Sequence, residues 1–287
     1  MLVPDISAQL TGILGDLKYI GPEIWLSLLF LVVLITDLLF GRNSENLCRI
    51  VASAGVLLVL FQDYRLIALL TGGGKLIFSG MLLETELSVV LRLIIDVGAF
   101  ILLLHFGWDE QLKSHQKKLS DLYSISIAAI FGLHLMTLAA NLLSVYLAIE
   151  MASIASYLLV AYRSENAFTV EAGLKYVLFG AAASAVMLYG ISLLYGFTGT
   201  LDLFNANFMT GLTSVNKAAA ALALVLVLAG IGFKLSFVPM HFWVPDVYEG
   251  ASTPVTAFLS TLPKVAGFGL LINFLTPFII TPAWKAF

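Results

Sequence analysis

Seven stretches of this chain plainly carry enough consecutive apolar residues to cross a lipid bilayer as helices, and an eighth does so weakly. A hydrocarbon core about 30 Å thick takes roughly 20 mostly apolar residues in α-helical form. The first span runs from about Trp25 to Phe40. The weak one starts near Arg49 and is interrupted by Gln62, Asp63, Tyr64 and Arg65. The others cover about Ser88–Phe106, Leu122–Ala140, Leu142–Tyr162, Ala172–Phe197, Ala218–Pro239 and Thr253–Ile280. The expected fold is therefore all-α: a polytopic membrane helix bundle of about eight transmembrane helices.

Composition agrees. Charged residues are 11% of the 287 positions and hydrophobic ones 60%, whereas soluble domains carry about 25% charged residues. A net charge of −3 offers no basic surface for nucleic acid. Cys48 is the single cysteine, so the chain by itself forms neither a disulfide nor a cysteine-ligated cluster. Residues 1–20 contain Asp5 and Asp16 without a basic leader segment, which predicts no cleaved signal peptide. With the N-terminus outside, inner loops hold Arg42, Arg49, Lys113, Lys117, Lys118 and Arg163. Outer loops hold Lys18, Arg65, Lys75, Lys217 and Lys285, so the basic bias favours that orientation narrowly. The last residues, Trp284 to Phe287, bring no polar tail, and the expectation is a truncated chain.

Function is sought among charges at bilayer depth, which cost about 2.5–3.5 kcal/mol each unless they face protein or water. Glu150 has eight residues between it and Asn141 and twelve between it and Arg163, near mid-span. Tyr146, Glu150, Ser153 and Tyr157 line one helix face. Lys264 lies eleven residues into the last span, on a face with Thr253, Thr256 and Ser260, and follows Pro263. That proline leaves the Leu259 carbonyl without its helical donor. Lys234 precedes Pro239 and Pro245 in a segment that cannot be one regular helix, so the seventh helix is expected to break. Helices broken inside a membrane expose ends suited to ion handling. Lys175 stands a few residues into the sixth span with Glu171 one turn before it, a possible i, i+4 pair.

Each has a blander reading. Glu150 can be structural glue, Lys264 and Lys234 can snorkel to an interface, and Lys175 can simply be interfacial. Arg92 and Asp96, also four apart, read as a self-neutralising structural pair, and His134 reads as a satisfied buried residue. Together, one acid and three bases on spans five to eight suggest proton exchange, because burial favours the neutral form of carboxyls and lysines alike. Waters and hydroxyls such as Ser153, Thr256 and Ser260 would fill the gaps.

With those residues in hand, the chain resembles the antiporter-like membrane subunits of respiratory complex I, and within them most closely the subunit N branch of bacterial NADH-quinone oxidoreductases. Residues 232–258, GFKLSFVPMHFWVPDVYEGASTPVTAF, resemble the family's broken-helix signature, with P-x-H-x-W-x-P-D-x-Y-x-G at Pro239–Gly250. Met240 stands where an aromatic is usual and Ser252 where proline is frequent. YLAIEMASIASYLLVAY around Glu150 is similar to the family's glutamate-bearing fifth span, and the order Glu150, Lys175, Lys234, Lys264 matches its central axis.

The resemblance implies a proton path in which Glu150 and Lys175 face each other and Lys264 passes protons onward. It implies residues 1–120 as three N-terminal spans and 121–287 as one five-helix antiporter-like repeat, with the second repeat absent. It places NAD, FMN, iron–sulfur clusters and quinone in partner subunits, leaving no cofactor and no metal here. It implies a bacterial inner membrane, other membrane subunits as partners, and only indirect contact with the quinone pool. Competing readings are a subunit of a multi-subunit Na⁺/H⁺ antiporter or membrane-bound hydrogenase, and a structural scaffold packed through the small residues Gly180 to Ser184.

Overall fold

The computed structural model describes residues 6–40, 44–68, 70, 73–113, 119–163 and 165–280. Arg42, Lys117, Lys118, Lys285 and the run Trp284 to Phe287, on which the orientation count and the truncation expectation partly rest, lie outside the described residues. A short helix α1 (Ile6–Asp16) and a 3-10 turn lead into α2 (Gly21–Phe40) and α3 (Glu45–Ile67). A two-stranded antiparallel hairpin, β1 (Lys75–Ile77) and β2 (Leu82–Glu84), precedes α4 (Glu86–Phe106) and the single turn α5 (Glu110–Lys113). Then come α6 (Ser120–Leu138), α7 (Leu142–Val160), α8 (Ala167–Thr198), α9 (Ala206–Ser214), α10 (Lys217–Leu235), α11 (Val244–Gly250) and α12 (Thr253–Ile280).

Among the described residues, eight helices are long and apolar enough to span a membrane: α2, α3, α4, α6, α7, α8, α10 and α12. The chain is a multi-pass membrane protein. Helix α6 is the most enclosed, packing on α2, α3, α4, α7 and α12. Large apolar side chains such as Leu31, Leu38, Ile101, Leu178 and Val225 face outward, where lipid supplies the apolar surroundings that a soluble protein would lack.

Sequence fixes the helix starts locally. Thr85 and Ser88 form a capping box at α4, Thr85 Oγ1 accepting from the Ser88 N–H at 3.0 Å and Ser88 Oγ from the Thr85 N–H at 2.9 Å. At α7, Asn141 accepts from the Leu143 N–H at 2.9 Å and Ser144 Oγ accepts from the Asn141 N–H at 3.1 Å. Small residues then let helices close on one another, the usual basis of packing in lipid. A methyl group on Gly132 of α6 would lie 2.5 Å from the backbone nitrogen of Ala152 in α7. The hairpin is tied down by Asp16, which accepts from Lys75 Nζ and the Phe78 N–H, both at 2.9 Å. Its last residue, Glu84, is thereby held in the interior.

Candidate functional site

The expected break in the seventh span is present. Helix α10 stops at Leu235, earlier than the Pro239 that hydropathy suggested, because Ser236 takes a left-handed conformation (φ 60°, ψ 36°). Its N–H still reaches back to the carbonyl of Phe233, and the chain turns before resuming as α11 with Pro245 in the first turn. Lys234 sits in the last turn and is 1% exposed. Its ammonium donates to Ser153 Oγ of α7 at 3.2 Å and forms no ion pair among the described residues.

Lys264 reaches across from α12 to the same break. Its ammonium donates to the Lys234 carbonyl at 2.9 Å and to Ser236 Oγ at 2.6 Å, and lies 5.1 Å from the Trp243 ring centre. A cation at the C-terminal end of a half-helix meets unpaired carbonyls and the negative end of the helix dipole. The site is walled by stacked aromatics, with Tyr176 4.5 Å and Phe233 5.2 Å from Trp243 between ring centres. Thr256 and Ser260 take no part: Thr256 donates to the Tyr248 carbonyl, and exposed Ser260 to Ala257 on its own helix. The hydroxyls that meet the lysines are Ser153 and Ser236, and sequence singled out only the first.

Glu150 accepts a short hydrogen bond from Ser184 Oγ of α8. Close approach of α7 and α8 permits it, since Gly180 leaves room for the Tyr157 hydroxyl where a side chain would clash. Lys175 does form the i, i+4 ion pair with Glu171, at 2.8 Å, and a second with Asp246 of α11 at 2.6 Å. It lines a polar cavity of about 720 Å³ with Glu110, Arg163, Asn166, Glu171 and Asp246. Its side chain is 37% exposed. The structure thus brings Lys234, Lys264 and Ser153 together, puts Glu150 on the same face of α7 as Ser153, and leaves Lys175 at an open mouth. Asp246 was legible only as part of a motif, and Ser184 only as one of a run of small residues.

A second buried charge cluster corrects the reading of Arg92 and Asp96 as a self-neutralising pair. Arg92 turns away from Asp96. Its guanidinium holds Glu23 of α2 at 2.7 Å, Asp63 of α3 at 3.0 Å, and Glu84 of β2. Asp96 instead lies 3.0 Å from His134 Nε2, whose Nδ1 is 3.3 Å from Glu23. His134 is fully buried and partnered, as its sequence setting suggested. Here three neighbouring elements offer Arg92 carboxylates, and the guanidinium pairs with those. Asp63, Asp96 and His134 bring ligand atoms within 4.8 Å of one another. The Arg92 guanidinium beside Asp63 competes with any metal ion there.

Comparison with known proteins identifies the family of the fold. The model of the family described as NADH:quinone oxidoreductase/Mrp antiporter, TM, matches residues 139–287. The chain is 34% identical over 274 residues to NADH-quinone oxidoreductase subunit N of Chlorobium chlorochromatii, covering 93% of this chain and 52% of the relative. It is 39% identical over 260 residues to NAD(P)H-quinone oxidoreductase subunit 2 of a Nostoc species, covering 88% and 48%. Among solved structures, a chain of respiratory complex I from Thermus thermophilus superposes with a TM-score of 0.72 at 29% identity, over 88% of this chain and 52% of that one. A chain of the Mrp complex from a Dietzia species gives a TM-score of 0.74 at 20% identity, over 90% and 48%, a likeness of fold. The chain spans about half the length of the curated relatives it matches.

Proposed function

Because this chain belongs to the NADH:quinone oxidoreductase/Mrp antiporter transmembrane family, we propose that it is part of a proton-translocating membrane subunit of an NADH-quinone oxidoreductase. The proton route runs along Glu150, Lys175, Lys234 and Lys264. The observation that carries this reading is Lys234: a buried ammonium beside a helix break, bonded to a single hydroxyl and without a counter-ion among the described residues. An ammonium has three N–H donors, and burial without a paired charge favours release of its proton. Lys264 is held at the same break, on the Lys234 carbonyl and Ser236 Oγ, and in this reading it is the next group to exchange the proton.

Lys175 and Asp246 form the mouth. The polar cavity there admits water, and the Lys175–Asp246 pair joins α8 to α11, the segment that follows the break. Opening that pair would free Lys175 to turn inward towards Glu150. NADH oxidation through FMN and iron–sulfur clusters, and quinone reduction, belong to partner subunits. In this reading the membrane is a bacterial inner membrane and the N-terminus lies outside.

The test is NADH-driven proton pumping in reconstituted complexes containing this chain. Lys234→Ala and Glu150→Gln should leave assembly intact and lower pumping per assembled complex several-fold. General acid–base groups typically contribute 10²–10⁴-fold to proton transfer, and a carrier working beside other pumping subunits reveals only its own share. Lowered assembly with unchanged pumping per assembled complex would instead make these charges packing devices. Sodium-dependent transport, unaffected by NADH, would move the chain to the antiporter reading.

A further inference from the structure

The cluster around Arg92 is chemically separate from the lysine axis. It draws its six groups from five neighbouring elements: Glu23 from α2, Asp63 from α3, Glu84 from β2, Arg92 and Asp96 from α4, and His134 from α6. Helix α12 also packs on α4 and α6, and its polar contribution there is Asn273, which donates to the Thr137 and Ala139 carbonyls. All six cluster side chains are buried.

Its charges do not balance. Four carboxylates face one guanidinium and at most one imidazolium, a surplus of negative charge even with the histidine protonated. An unpaired charge in a dry interior costs several kcal/mol or more, so the surplus must be neutralised. His134 makes the same demand from its bonding. Both ring nitrogens lie against carboxylates, yet a neutral imidazole has one N–H and one acceptor. One side of the ring is satisfied only if an additional proton resides on the imidazole or on a facing carboxyl. Oxygens are free to take protons: Glu23 Oε2, Glu84 Oε2, Asp96 Oδ2 and Asp63 Oδ2 are buried without a hydrogen-bond partner, while Asp63 Oδ1 meets Arg92 Nε. A competing cation meets the guanidinium, which already occupies the inner oxygens of three of the carboxylates. Burial pushes the Glu84 carboxyl up to about 7 despite the pull of Arg92.

We propose that Glu23, Asp63, Glu84, Asp96 and His134 form a second buried proton-binding site organised around Arg92, holding enough protons in common to cancel their surplus of carboxylates. The site lies where α2 and α4 begin and α3 and α6 end, near one face of the bundle, with the β1–β2 hairpin attached to it through Glu84. It stands whether or not the lysine axis carries protons.

Infrared spectroscopy of the purified full chain in lipid nanodiscs tests it. At neutral pH the wild type should show a protonated-carboxyl C=O band that moves to lower frequency in D₂O. Asp63→Asn, Asp96→Asn and Glu84→Gln, which replace a carboxyl by an amide of the same shape, should each change that band, and at least one should remove part of its area. A structural ion cluster with ionised carboxylates would show no such band, in the wild type or any variant. Where an amide variant fails to fold, wild-type protein labelled isotopically at the aspartate side-chain carboxyl replaces it, and part of the band should shift. An absent band, a band indifferent to every variant and to the label, or a stoichiometric divalent metal lost in Asp63→Asn would overturn the proposal.

Discussion

Glu84 shows how one residue's surroundings become a property of the whole protein. It sits at the end of a three-residue strand, outside the spans, where burial raises its carboxyl from 4.5 to about 7. Between those values the folded protein holds a proton that the unfolded chain has released. Stability therefore falls as pH rises through that window and levels off above about 7. Glu84→Gln keeps the shape and removes the titration, so the slope of thermal stability against pH between 4.5 and 7 should flatten, as detergent-solubilised unfolding scans would measure. An unchanged slope would place the titration elsewhere in the cluster. Asp16 illustrates the opposite sign: burial pushes its carboxyl up, but the Phe78 N–H and Lys75 outweigh that and hold it below its ordinary value.

At the scale of elements, two devices decide where functional groups stand. The first is the break after Leu235, where the left-handed Ser236 ends α10 and exposes carbonyls that Lys264 binds from α12. The second is the close contact of α6 on α7 at Gly132, which sets the rotation of the helix bearing Glu150 and Ser153. A side chain at Gly132 meets backbone atoms of Ala152, which cannot move aside as a flexible side chain can. Gly132→Leu should cost at least about 1–3 kcal/mol, the range for overpacking a close contact. It should also reduce pumping by shifting Ser153 from Lys234. The check is SDS-induced unfolding alongside pumping of the surviving protein, and full stability with full pumping would sink it.

For the whole molecule, α12 joins the Arg92 cluster to the helices of the break. It packs on α4 and α6 as well as on α10 and α7, so the helix that carries Lys264 also touches the helices that hold Arg92 and His134. Asn273 fastens this arrangement, donating at 2.9 Å to the Thr137 carbonyl at the end of α6. Interhelical hydrogen bonds in membranes contribute about 0.6 kcal/mol on average and up to about 1.7. Asn273→Leu should fall within that range in reversible SDS unfolding, with the contacts of Lys234 and Lys264 intact; a much larger loss would mean that Asn273 does more than bond the Thr137 and Ala139 carbonyls.

The sequence by itself determined the spans and the break, and it singled out Glu150, Lys175, Lys234 and Lys264 as charges within those spans, because lipid imposes rules that act locally. Every span must be long and apolar, prolines interrupt helices wherever they fall, and a charge at bilayer depth stands out against its neighbours. Tertiary structure alone decided which charges meet. Arg92 has a carboxylate four residues away and ignores it for Glu23, 69 positions distant, while His134 reaches Glu23 across 111 positions. Lys264 meets the end of α10 rather than the hydroxyls on its own helix face, and Lys175 adds a partner from α11 to the one beside it. Helical periodicity reports the face a residue occupies, whereas its partner depends on which other helix is packed there, and that choice is made by steric fit between elements far apart in the chain.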